Sequence, residues 1–455
     1  MTSVVDSALA GRNAFYRTIW RWHFYAGLFV MPFIVLLSVT GAIYLFKPQI
    51  DRWEERSFQN LPLDRAVAPH QQAAAALAAY PGARLDSYRL PERVGDAAMI
   101  HLATANGGPM RDVFVSPQGA VLGSFGSDAR LTAFIARIHG SLLIGPVGDW
   151  LVELAASWAI VMILTGLYLW WPRGSGMAGV IWPRLGRGRQ LFWRDIHAVT
   201  GFWVAGLALV MLASGLPWAG AWGTALRLVR IEFGLMKGPQ DWKVGAAREE
   251  HAAHDHGAMA AMSHRGSLDL APIDILVPRA RAEKLAFPAL IKPPGTPERG
   301  GRTTGAAWII KSEAQNRTLV RTVRYDPSTL KEIGRTDFAD RHVIDRVVNY
   351  GIAWHEGQLF GWINQLIGVL TATALITMVV SSFILWQRRR PIGKLGAPAV
   401  PAVPARIGGV VAIIVVLAAL LPLLAASMII LLLIEWLLLR RVNAAAVWLG
   451  LRTAA

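Results

Sequence analysis

Four long apolar runs constrain this chain more than any other feature. They lie at about 24–46, 149–171, 198–222 and 362–387, and each matches the roughly 20 residues that cross a bilayer as a helix. A helix is the form such runs take, because hydrocarbon offers backbone N–H and C=O groups no other partner. A fifth run, 408–439, is too long for one simple span. It has Pro422 in its middle, Arg406 before it, and Arg440 and Arg441 after it. It reads as a tight hydrophobic hairpin with both ends on one side; one long tilted helix is the alternative. The first run reads as a retained span rather than a cleaved leader, since Lys47-Pro48 follows it where a small-residue cleavage site would stand. Composition agrees: 17% of residues are charged, against about a quarter in soluble domains. The expected fold class is a mainly α membrane protein.

Cysteine is absent. That excludes disulfides, iron–sulfur clusters, thiolate zinc sites and thioether-linked haem. The net charge of +16 points to cytoplasmic loops and the anionic lipid bilayer. With no arginine-rich soluble domain, no nucleic acid is expected as a partner.

Arginines set the orientation. Arg12, Arg17 and Arg21 precede the first run, and Arg173, Arg184, Arg187, Arg189 and Arg194 crowd the loop between the second and third. Arg388, Arg389, Arg390 and Lys394 follow the fourth. By the positive-inside rule these sides are cytoplasmic. The expected layout is a cytoplasmic 1–23, span 24–46, periplasmic module 47–148, span 149–171, cytoplasmic loop 172–197, span 198–222, periplasmic module 223–361, span 362–387, cytoplasmic loop 388–407, the 408–439 stretch and a cytoplasmic tail 440–455. Each outer loop reads as a small α+β module. Helices are expected at His70–Tyr80 and Pro272–Leu285. Alternating runs at 84–90, 97–102, 113–115, 306–310 and 319–325 read as strands. A Pro–turn–Gly corner follows in both, at Ser116-Pro117 to Gly123 and Asp326-Pro327 to Gly334.

The two halves match at fixed spacing. His23 and His197 are each followed four residues on by glycine (Gly27, Gly201), with a further glycine beyond (Gly41, Gly215). His139 is followed by Leu143 and Gly145, and His355 by Leu359 and Gly361, and the register holds to Leu169-Trp170 and Leu385-Trp386. Span–module–span therefore occurs twice, as parallel repeats about an axis along the membrane normal. A two-fold arrangement brings His23 to His197 and His139 to His355. Two facing imidazoles are what bis-histidine ligation of a b-type haem requires. One pair near each face gives two non-covalent haems, a relay across roughly 30 Å of hydrocarbon. Near an interface a histidine can instead be simply hydrated, and proton-relay histidines are the main competing explanation. Against that, the spans hold almost no carboxylate: Glu153 in the second and Glu435 in the terminal stretch.

The segments Trp20-Arg21-Trp22-His23-Phe24-Tyr25-Ala26-Gly27, Ile138-His139-Gly140-Ser141-Leu142, Gly166-Leu167-Tyr168-Leu169-Trp170-Trp171, Arg194-Asp195-Ile196-His197 and Trp354-His355-Glu356-Gly357 resemble the PepSY-associated transmembrane family of iron-regulated inner-membrane proteins. The resemblance covers nearly the whole chain. It implies PepSY-like outer modules and haem sites, and the family includes di-haem reductases that release iron from siderophores in the periplasm.

Other signals are weaker. His251, His254, His256 and His264, with Met259 and Met262, form a metal-collecting loop or a solvated linker. Gly174–Gly179 fits G-x-G-x-x-G but follows a span rather than a strand, so no nicotinamide or flavin domain is expected. Electrons must then come from a quinol, a soluble reductant or a cytoplasmic flavoprotein. Tryptophans near span ends read as an interfacial belt, and Pro32 and Pro217 as kinks. No Ser–His–Asp arrangement stands out. The functional expectation is a haem-dependent ferric reductase acting on a ferric siderophore or other ferric chelate. An iron-chelate transporter, or a membrane-anchored regulator whose modules bind a periplasmic protein, are the alternatives.

Overall fold

The computed structural model describes residues 2–104, 108–172, 176–236, 242, 244, 268–298, 302–398, 400, 408–439 and 441–451. The helices used below are α1 (Thr2–Tyr44), α2 (Lys47–Glu54), α3 (Pro69–Ala79), α4 (Leu131–Ser141), α5 (Gly145–Trp170), α6 (Arg189–Gly215), α7 (Gly220–Glu232), α8 (Pro272–Ala282), α9 (Val343–His355), α10 (Trp362–Arg389), α11 (Gly408–Leu420), α12 (Pro422–Ile434) and α13 (Asn443–Trp448). The strands are β1 (Arg84–Arg89), β2 (Ala98–Ala103), β3 (Arg111–Val115), β4 (Val121–Gly126), β5 (Ala289–Lys292), β6 (Trp308–Ser312), β7 (Thr322–Tyr325) and β8 (Glu332–Thr336). A two-residue ladder, Pro297–Glu298 with Arg302–Thr303, stands apart from them. The chain divides into two compact units: 1–42 with 146–222 and 366–455, and 43–145 with 223–365.

The first unit is helical. Five helices among the described residues are long and apolar enough to cross a membrane: Ala14–Tyr44, Gly145–Trp170, Arg189–Trp218, Trp362–Arg389 and Pro422–Leu439. Small residues let them approach. A side chain at Gly27 would meet the Met162 sulfur, and one at Gly201 would meet Met378. These two glycines thus lie at helix-packing positions. Pro217 does not kink α6. The helix stops at Gly215, and Pro217 sits in the 3₁₀ turn Leu216–Trp218 that follows. Glu153, an acid in a span, has a structural use. Its carboxylate accepts the N–H groups of Ala221 (2.9 Å) and Trp222 (3.1 Å), and Asp149 accepts that of Gly220 (3.3 Å). Three free amides at the start of α7 are so satisfied, with negative charge at the positive end of its dipole.

The terminal apolar stretch breaks at Leu421. Leu420 accepts the Trp222 indole N–H (2.9 Å), and Leu421 and Leu424 pack with Leu216. The middle of the stretch therefore lies beside the end of α6. Its flanks lie beside the early part of α1: the Arg21 guanidinium donates to the Pro398 carbonyl, and the Tyr25 hydroxyl to Leu449 (2.5 Å).

In the second unit, both long loops between spans contribute to one antiparallel sheet, ordered β8–β7–β6–β5–β1–β2–β3–β4. The sequence reading treated each loop by itself; the β1–β5 pairing, Tyr88 opposite Ile291, joins them. Helices α3 and α8 cover one face, over a core that includes Ile100, Ile273, Ile291, Ile310 and Val323. Each such aliphatic side chain contributes roughly 1.5–3 kcal/mol on burial. The two Pro–turn–Gly corners are hairpins joining β3 to β4 and β7 to β8.

The sheet's β2–β3 part is tied to the helices that follow by a charged network. Asp112 accepts from His101 (2.7 Å), Ser127 (3.0 Å) and Arg130 (3.2 Å). Arg130 (2.9 Å) and Arg89 (2.6 Å) both meet the Glu55 carboxylate. Burial alone would raise the pKa of Asp112; the hydrogen bond and charge of His101 and the charge of Arg130 outweigh it and hold the carboxyl well below its ordinary value. Burial pushes Glu55 the same way, and Arg89 and Arg130 more than offset it. Both groups therefore stabilise the fold above the unfolded carboxyl pKa of about 4, and lose that contribution as pH falls through their depressed values. Asp112→Asn should cost about 1.5–3 kcal/mol at neutral pH, because it removes one of the two carboxylate partners of Arg130 and weakens the acceptor of His101 and Ser127. Thermal unfolding followed across the acid range should also show a flatter pH dependence in the variant than in the parent. An equal pH slope in both would count against this network.

Candidate functional site

The described residues hold two histidine pairs, one in each unit. In the first unit His23 lies within α1 and His197 within α6. Their ring centroids stand 6.4 Å apart at an interplanar angle of 77°. The Nδ1 atom of His23 lies 3.0 Å from the Met162 carbonyl oxygen and 3.1 Å from the Thr165 hydroxyl, both on α5. Nδ1 of His197 lies 3.1 Å from the Met378 carbonyl and 3.4 Å from the Ser381 hydroxyl, both on α10. A carbonyl oxygen can only accept, so each Nδ1 carries the proton and each Nε2 keeps its lone pair. That is the arrangement of a metal-ligating imidazole, its ring fixed by a hydrogen bond from the other nitrogen. Gly166 makes room for it: a side chain there would come within 3.1 Å of the His23 ring.

In the second unit His139 is in the last turn of α4 and His355 ends α9. Their centroids are 6.2 Å apart at 78°. Both helices stop close to their histidine. After α4 the chain passes through left-handed Leu142 and Leu143 to Gly145; after α9 it turns at Gly357 and Gly361. The Asn364 amide spans the second turn, accepting from Leu359 N–H and donating to the Trp354 carbonyl, both at 3.2 Å.

The separations have a chemical reading. Two imidazoles on opposite sides of one metal ion, each bonded at about 2.0–2.1 Å, place their ring centroids roughly 6.3 Å apart. Both pairs fit that spacing, so each pair would have the reach to hold one metal centre, such as a haem iron, between its two imidazoles. No three His, Asp or Glu side chains converge as a bare-ion site among the described residues. The loop His251, His254, His256 and His264, and part of Gly174–Gly179, lie outside the described residues.

Sequence reasoning missed several supporting groups. Thr165 and Ser381 stand at the same offset as His139 and His355, a match readable once the register was known. Trp170 and Trp386, already matched in the sequence, donate their indole N–H groups to Val180 (2.9 Å) and Leu395 (2.8 Å). These two tryptophans latch the loop after each helix rather than serving only as a belt. Asp195, fully buried two residues before His197, is held by Arg184 and Arg194; nothing in its local pattern signalled that.

A family model described as the PepSY-associated TM region matches residues 20–389, which takes in all four histidines. No curated protein matches the chain.

Proposed function

The chain belongs to the PepSY-associated TM family, and on that footing we propose that it is an inner-membrane di-haem b protein that reduces a periplasmic ferric chelate, most plausibly a ferric siderophore. The observation that carries this reading is the pair of histidine separations, 6.4 and 6.2 Å, each at the span of a bis-histidine metal site. A b-type haem bound by each pair would supply a one-electron carrier. The chain's own part is to hold the imidazoles as neutral ligands: the Met162 and Met378 carbonyls fix the protons of His23 and His197. Electrons, from a quinol or a cytoplasmic flavoprotein, enter on the His23/His197 side and leave on the His139/His355 side. Siderophores bind hard Fe(III) through oxygen, and Fe(II) suits those ligands less well, so one-electron reduction loosens the complex. The transporter reading loses its best acid, since Glu153 is engaged in capping α7.

We also read the architecture as two parallel repeats plus a hairpin, with arginine-rich ends cytoplasmic. In support, α1 and α6 meet at equivalent histidines, and α5 and α10 approach them through equivalent residues. The flanks of 408–439 lie by Arg21 and Tyr25, while its middle lies at the far end of α6. Reporter fusions after residues 185, 395 and 451 should read cytoplasmic, and those in 47–148 periplasmic. A periplasmic C-terminal reporter would refute the hairpin.

Substrate is tested by reducing the purified protein without oxygen and adding ferric siderophores. Haem reoxidation matched by Fe(II) capture on a ferrous chelator is expected. Haems that stay reduced with every ferric chelate, yet reoxidise with Cu(II), would keep the conduit and overturn the iron assignment.

A further inference from the structure

The helices that carry His139 and His355 each leave one apolar face uncovered. On α4 the inward face is pinned: the Thr132 hydroxyl donates to Asp51 (2.6 Å), and the Leu131 N–H to Glu54 (2.9 Å). The other face shows Leu131 and Phe134, 41% and 42% exposed. On α9 the inward face carries Asp345, paired with buried Arg230 at 2.8 Å. The other face shows Val343, Val347 and Tyr350, spaced four and three residues apart, with Val347 65% exposed. That spacing makes one stripe along a helix. Leu131 and Val347 are separated by the same offset as His139 and His355, and so are Phe134 and Tyr350. The same face is therefore bare at the same place in both halves.

We propose that α4 and α9 lie in the headgroup layer of the bilayer's outer leaflet, with these stripes turned to the acyl chains. The occupant follows from continuity with the spans. Three residues, Leu142 to Ile144, separate α4 from α5, a reach of about 10 Å even when fully extended. Two of them, Leu143 and Ile144, are themselves exposed. The link from α9 to α10 likewise carries exposed Phe360 and leads into exposed Trp362, the first residue of α10, and tryptophan favours the membrane–water boundary. Charge agrees, because α4 carries no acid and one exposed cation, Arg137, as an interfacial helix beside anionic headgroups should. Each helix then acts as a float that sets the depth of its histidine, and this holds whatever the histidines bind.

The chain has no cysteine, so single nitroxide labels can be placed cleanly on the full-length protein. Phe134→Cys and Val347→Cys would be labelled in bilayers of phosphatidylethanolamine and phosphatidylglycerol. Val94→Cys, at a strongly exposed position of the same unit, serves as the aqueous control. Collision with oxygen relative to a water-soluble nickel chelate should be several-fold higher at 134 and 347 than at 94. Ratios equal to the control would overturn the proposal by placing the stripes in water. Protection from both reagents would overturn it in favour of a second copy of the chain, which concentration-dependent label–label broadening would reveal.

Discussion

Replacing His23 by alanine should lower the haem content from the proposed two per chain to about one and leave the remaining haem low-spin. His197→Ala should do the same, with loss of the same haem. The expectation follows from the proposed ligation by two residues on different helices: with one imidazole gone, a bound haem would lose one of the two side chains that hold it. His139→Ala and His355→Ala should remove the other haem. The controls are Thr165→Val and Ser381→Ala, which leave both imidazoles and their carbonyl partners in place. Those should keep both haems and alter affinity or potential only, since outer partners of a ligand typically change metal affinity by about 10–100-fold. Loss of both haems from every histidine variant would break the assignment of pairs. So would a His23 variant whose loss is complemented by His139 rather than His197.

The second large effect concerns transfer. Without the His139/His355 haem, ferric chelate reduction should fall to background even though the His23/His197 haem still accepts electrons from a donor. One jump across roughly 30 Å of hydrocarbon is too long for useful tunnelling. Stopped-flow spectra would show the remaining haem reducing at its parental rate and staying reduced after the chelate is added. Full activity with one haem would mean the pairs do not act in series. An Asn364→Ala variant, which frees the turn after His355, should retain both haems and shift the potential of one.

Much of this was legible before any coordinates. The apolar runs located four spans to within a few residues at most ends, because burying backbone in lipid leaves a long, unmistakable composition signal. The extra turns at the starts of α1 and α6 were not visible, since arginines mask helix where it leaves the membrane. The meeting of His23 with His197 and of His139 with His355 was legible through their spacing in the sequence. What spacing could not give was the local chemistry. The carbonyls of Met162 and Met378 are backbone atoms, and no residue pattern marks an acceptor of that kind. Helices α4 and α9 escaped for a different reason. Each is short and merges into the loop before a span, so its period was lost against the stronger apolar signal beyond. The joining of the two long loops through β1 and β5 rests on a pairing of residues some 200 positions apart, beyond the reach of alternation within either strand.

The most direct test of the account is the haem content of the purified, detergent-solubilised protein from haem-replete cells. A red preparation is expected, with a low-spin b-type spectrum and about two haems per chain, all released by acid–acetone because no cysteine can form a thioether link. A colourless protein, folded by every other measure, would contradict it.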